Sequence, residues 1–143
     1  MNKLYVAYGS NLNIDQMALR CPNAKVYGKG KINDHKLAFR LHATILEAKG
    51  ESVPVAVWEI DEIDEKNLDR YEGYPRYYRK EQIKVEMSNN EEIEAMVYIM
   101  NGGRKMLPTR GYAETILKGY RDIGLDESYL AKAIKEIIEE MGA

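Results

Sequence analysis

The sequence predicts an α+β fold, a strongly bent mixed or antiparallel sheet with helices packed around it. Three observations carry this reading. Strand-like runs fill the middle of the chain, helical spacing dominates its end, and short turns link neighbouring strands, which favours antiparallel pairing. At 143 residues the chain fits one domain, 1–143, large enough to bury a core without disulfides or metal.

The elements follow in order. Lys3 to Tyr8 is a short aromatic and β-branched run ended by Gly9-Ser10-Asn11, hence a strand. Asn13 caps a short helix from Ile14 to Arg20, with Asp15 favourable in its first turn, and Cys21-Pro22-Asn23 ends it. Lys25 to Ile32 and His35 to Leu41 read as two strands joined at Asn33-Asp34, residue types that tolerate the positive φ of a tight hairpin. Gly28 and Gly30 inside the first of them signal a bulge or a close backbone approach. Val53 to Ile60 is strongly β, and Pro54 places its start at an edge.

Asp61 then caps an acidic helix running to about Glu72, where Gly73 suits the C′ position and Pro75 forbids continuation. Arg76 to Met87 and Glu92 to Met100 form a hairpin turned at Ser88-Asn89-Asn90. Ile83, Val85 and Met87 alternate with polar residues, so one face is buried. Arg110 to Ile123 and Asp126 to Met141 read as helices, the second carrying Ile134, Ile137, Ile138 and Met141 at helical spacing.

Composition excludes several classes. Apolar residues are 45% and charged residues 31%, which excludes disorder and fibrous classes. One cysteine, Cys21, makes no internal disulfide, and one Cys with two His makes no ordinary zinc site; no metal is expected. No apolar run approaches the ~20 residues of a membrane span, and the N-terminal residues lack a signal-peptide core. A cytoplasmic protein with no membrane partner is expected. A net charge of −2 argues against a nucleic-acid partner, and the last helix is not basic, with five acids against Lys132 and Lys135. The odd feature is aromatic: 11 Tyr against one Phe and one Trp. Tyrosine brings a ring with a hydroxyl that needs a partner when buried, so the excess marks a core rim or a pocket.

Three segments have the residues for chemistry. In Tyr8-Gly9-Ser10-Asn11-Leu12-Asn13, Gly9 allows close backbone approach, and successive amides at Ser10, Asn11 and Leu12 form a candidate nest for a carboxylate or oxyanion. A plain strand-to-helix turn with an Asn cap explains the same pattern. In Leu68 to Arg79, four tyrosines and three arginines surround Glu72. The negative end of a helix and burial among rings both raise a carboxyl pKa, suiting Glu72 to general acid–base work, while the arginines oppose the shift. A surface Glu at a helix end is the alternative. Gly102 to Tyr112 is a basic, Gly-rich loop that either covers a site and delivers Tyr112 or simply leads into a helix. His35 and His42 read as surface residues and Cys21 as structural.

Taken together, Tyr5-Val6-Ala7-Tyr8-Gly9-Ser10-Asn11-Leu12, Leu68-Asp69-Arg70-Tyr71-Glu72-Gly73 and Pro108-Thr109-Arg110-Gly111-Tyr112 resemble the γ-glutamylcyclotransferase family, including its AIG2-like members. Order and spacing agree from about Leu4 to Ile134, and the Tyr-Gly-Ser-Asn element with a Glu-Gly about sixty residues later is specific in combination. The resemblance implies a small bent β-barrel-like sheet with peripheral helices and cyclisation of a γ-glutamyl group to 5-oxoproline, releasing an amino acid or amine. It also implies no cofactor, a small-molecule γ-glutamyl substrate as partner, and a monomer or homodimer. By the same resemblance Glu72 is the catalytic residue. Tyr8, Gly9, Ser10, Asn11 and Leu12 form the substrate loop, and Tyr112 is a pocket tyrosine. Tyr78 is a second, with Tyr77 as its alternative because the intervening loop is one residue shorter. A non-catalytic binding or regulatory member of the same fold is the alternative function.

Overall fold

The computed structural model describes residues 2–142, so the two end residues of the predicted domain, Met1 and Ala143, lie outside the described residues. Five strands close a small barrel in the order β1 (Lys3–Ala7), β3 (His42–Ile60), β2 (Lys25–Arg40), β4 (Tyr78–Met87), β5 (Glu92–Met100). Every neighbouring pair is antiparallel except β1 with β5, which meet in parallel at Tyr5 and Met96 and complete the ring. The predicted bent mixed sheet is therefore a closed one.

Gly28 and Gly30 do both things expected of them. The β2–β3 register shifts between Val26 and Gly28. A Cβ on Gly30 would lie 2.5 Å from the Glu86 carbonyl, where β2 crosses onto β4. The predicted turn at Asn33-Asp34 is not a turn. β2 runs unbroken through it, with a bulge between Asn33 and His35. Asp34 has the positive φ (58°) that its residue type tolerates, and its carboxylate accepts from the Gly50 amide on β3, itself at φ 84°. The hairpin instead turns at Leu41 (φ 71°), whose amide donates to Met106 O. As a result β3 begins at His42, well before the predicted Val53.

Four helices surround the barrel. Asn13 caps α1 (Ile14–Arg20), its side chain accepting from Gln16 N. Asp61 caps α2 (Glu62–Glu72) in a reciprocal capping box with Asp64, and Gly73 ends it in the left-handed region at φ 69°. Thr109 caps α3 (Arg110–Ile123), accepting from Tyr112 N. α4 (Ser128–Gly142) packs on β2 through Leu130, Ala133 and Ile137.

Two attachments position the site. α2 buries Leu68 completely and is clamped by charge: Lys80 on β4 bonds both Glu65 and Asp69 at 2.7 Å, and Tyr98 on β5 donates to Asp69 at 2.6 Å. α3 lies directly on the turn after β1. A Cβ on Gly119 would sit 2.6 Å from Leu12 Cβ and 2.7 Å from Asn13 N, so only glycine permits that approach. No helix among the described residues is long and apolar enough to cross a membrane.

Candidate active site

After β1 the chain makes a single 3-10 turn, Ser10–Leu12, and then enters α1. Inside this turn the Leu12 and Asn13 amides donate to Gly9 O and Ser10 O. Space is short at Gly9. A Cβ on Gly9 would lie 3.2 Å from Ala43 Cβ and 3.5 Å from the Tyr112 hydroxyl.

Gly9, Ser10 and Asn11 line a recess of about 30 Å³ with Tyr8, Glu72, Tyr78 and Tyr112. That volume takes one end of a ligand, a carboxylate or an ammonium, and not a whole substrate. The recess opens beside a vestibule of about 600 Å³, and Glu72, Tyr78 and Tyr112 line both. Gly102 and Gly103 of the basic loop form part of the vestibule wall.

Glu72 therefore stands at the boundary between a polar recess and a wide opening. Burial is the main influence on its carboxyl and pushes it up to about 7; the Arg20 guanidinium opposes the shift. The opposing arginine comes from α1 and is none of the three in the Glu72 segment. Arg20 donates to Asn11 Oδ1 at 2.7 Å and to Gln16 Oε1 at 2.8 Å, and its guanidinium lies 3.6 Å from the centroid of the Tyr71 ring. One side chain thus joins the turn, α1 and the end of α2.

The hydroxyl protons of the site are largely assigned. Tyr8 donates to Tyr98 O at 2.6 Å and Tyr78 to Ala43 O at 2.8 Å, so both turn lone pairs outward. Tyr112 accepts from Ala43 N at 3.1 Å and keeps its own proton to give. Burial raises the pKa of Tyr8, Tyr78 and Tyr112, which keeps all three as neutral phenols.

Among the residues expected at the site, Leu12 and Tyr77 stand apart from the recess. Leu12 is 0% exposed, packs under Gly119, and commits its amide to Gly9 O, so it supports the loop and offers nothing to a ligand. Tyr77 is 60% exposed and lines the vestibule, whereas Tyr78 reaches both spaces. Tyr5 and Tyr98, which are not among the residues expected at the site, also line the recess. Asn11 Nδ2 donates to the Tyr5 hydroxyl at 2.9 Å. Nothing local flags either ring, because β1 and β5 meet only through barrel closure. His42, read as a surface residue, is exposed at the vestibule edge with its ring 5.3 Å from that of Tyr112.

The γ-glutamyl cyclotransferase, AIG2-like family model matches residues 5–119, a span containing the turn, Glu72 and Tyr112. The chain belongs to that family. It is 32% identical to a γ-glutamylcyclotransferase of Mus musculus and 30% identical to one of Homo sapiens, in each case over 90% of this chain and 76% of the relative. Among solved structures, one of a γ-glutamyl cyclotransferase superposes with a TM-score of 0.85 at 29% identity, covering 93% of this chain and 86% of that one. A second, of a Homo sapiens protein, gives 0.83 at 28% identity, covering 92% and 86%. The barrel with peripheral helices is thus the fold of the family.

Proposed function

We propose that the protein is a cyclotransferase that converts a γ-glutamyl amino acid or amine to 5-oxoproline and the free amino acid or amine, with Glu72 as general base and then acid. The observation that carries this reading is the place of Glu72. Its carboxyl, with a pKa near 7, lies where a recess fit for one end of a glutamyl group meets a space fit for a leaving group.

The substrate's own α-nitrogen is the nucleophile, so the reaction is intramolecular and its effective molarity is built in. That nitrogen arrives as an ammonium. Tyr8 and Tyr78, whose protons go to backbone carbonyls, present the lone pairs suited to hold it. Ionised Glu72 takes one proton. The freed amine attacks the γ-carbonyl carbon, the carbonyl electron pair moves to oxygen, and a five-membered ring closes. Tyr112, with a free proton, and the turn at Gly9, Ser10 and Asn11 suit the α-carboxylate and the developing oxyanion. Collapse breaks the C–N bond to the leaving group, whose nitrogen receives the proton from Glu72. The ring nitrogen gives up its second proton to the departing amine, which leaves as an ammonium, so the protons balance and the carboxylate is ready for the next substrate.

Incubation with a panel of γ-glutamyl amino acids and amines, assayed for 5-oxoproline, tests the proposal. Release from at least one member, lost in Glu72→Gln, is the expected result. An inactive wild-type protein across the panel would favour a binding member of the same fold.

A further inference from the structure

The vestibule has a charge pattern that the chemistry at Glu72 does not use. Its wall contains Arg40 from the end of β2, Arg70 from the last turn of α2, and Arg76 from the segment after Gly73. Among the described residues the only carboxylate in the wall is Glu72 itself. Three arginines elsewhere are paired, Arg79 with Glu81, Arg110 with Glu114 and Arg121 with Glu127, and Arg20 is committed to Asn11 and Gln16. Among the described residues Arg40, Arg70 and Arg76 form no ion pair. Arg40 donates once, to Phe39 O, which leaves most of its five N–H groups unused. The guanidinium of Arg76 lies 5.3 Å from the centroid of the Tyr77 ring.

The three also sit on braced backbone. Asn101 Nδ2 donates to Pro75 O and Arg76 O, and Asn101 N donates to Tyr77 O. Arg40 is bridged to Met106, and a Cβ on Gly103 would lie 3.5 Å from Arg40 Cβ. Guanidinium groups match carboxylates in planar, two-point geometry, and three of them in one concave space exceed what a single carboxylate needs.

We infer that the vestibule recognises an acidic leaving group, an amino acid or γ-linked peptide with two carboxylates, through Arg40, Arg70 and Arg76. This rests on the cyclotransferase reading, in which the scissile amide lies at Glu72 and the leaving group extends into the vestibule. The reaction is unchanged: the amide C–N bond breaks and the leaving nitrogen takes the proton from Glu72.

The test compares γ-glutamylglutamate with γ-glutamylglutamine, which differ by one carboxylate at nearly constant shape. We expect kcat/KM to favour the glutamate by about tenfold or more at low salt, and the ratio to fall as ionic strength rises. Arg70→Gln with Arg76→Gln brings the ratio toward one, while Arg110→Gln, a paired arginine outside the vestibule, keeps it. Turnover of both compounds at similar kcat/KM, or a ratio unmoved by the vestibule variants, overturns this inference and leaves the cyclotransferase reading intact. Release of 5-oxoproline from γ-glutamylalanine but not from γ-glutamylglutamate does the same. No release from any of the three, with γ-glutamyl amines unchanged as well, overturns both.

Discussion

The hydroxyls of Ser10 and Tyr71 lie 2.9 Å apart, joining the turn after β1 to the last turn of α2. Tyr71 immediately precedes Glu72, and its ring also receives the Arg20 guanidinium. The position of Glu72 is therefore set jointly by α2 and by the turn after β1, which ties Glu72 to the recess.

Glu72→Gln should abolish cyclisation and yet stabilise the protein at alkaline pH. Folding raises the pKa of Glu72 from 4.5 to about 7. Between those values the native state keeps a proton that the unfolded chain has released, so stability falls as pH rises through the window. The cost is absent below about pH 4.5 and complete above about 7. At roughly 1.4 kcal/mol per pH unit it reaches about 3 kcal/mol. Glutamine has the same shape and no charge to bury. Urea unfolding at pH 5 and pH 8 should show the variant gaining on wild type only at pH 8. Equal gains at both would mean that burial of charge is not what strains this position.

The end of α2 is legible in the sequence because its signals are local. An acidic cap at Asp61, a C′ glycine at Gly73 and Pro75 shortly beyond bracket the helix and put Glu72 on its last turn. The recess is less legible because its parts meet only by closure of the barrel. Tyr5 and Tyr98 face it from strands that join in parallel at one residue pair. Arg20 acts on it from outside, bonding Asn11 of the lining from a different element. The Asn33-Asp34 error has another source. Asp at positive φ serves a bulge as well as a turn, and only the Gly50 amide across the sheet decides between them. The true turn uses Leu41, a residue type that gives no warning of φ 71°.

Arg20→Gln should move the pH–rate profile. With Glu72 as the proposed base, wild-type kcat/KM should rise with pH as Glu72 ionises, with a limb near pH 7. Arg20 lowers that pKa, so its removal shifts the limb toward alkaline pH. Glutamine keeps donors for Asn11 and Gln16, which separates loss of charge from collapse of the turn. Rates lowered equally at every pH, with the limb unmoved, would mean that Arg20 acts only as a brace.

Gly9→Ala should cost turnover. The new methyl would press on Ala43 Cβ at 3.2 Å and reach toward the Tyr112 hydroxyl at 3.5 Å. Ala43 must give by a few tenths of an ångström, and its N and O bond the Tyr112 and Tyr78 hydroxyls assigned to the substrate. A fall in kcat/KM of about tenfold or more is the expected reading. A normal rate would show that the hydroxyl does not need its present place.

Gly119→Ala should cost stability. The added methyl meets Leu12 Cβ at 2.6 Å and the Asn13 amide nitrogen at 2.7 Å. Those atoms belong to the turn itself and cannot swing aside as a flexible side chain would. Alanine gains helix propensity over glycine by about 1 kcal/mol, but overpacking against fixed atoms costs about 1–3 kcal/mol, and contacts this short lie at the upper end. α3 must therefore lift from the turn after β1, and because Tyr112 heads α3, the recess loosens with it. Thermal unfolding should show a lower midpoint than wild type, and KM should rise more than kcat falls. A variant as stable as wild type would mean that α3 can slide along the turn, and that Gly119 is there for a reason other than close approach.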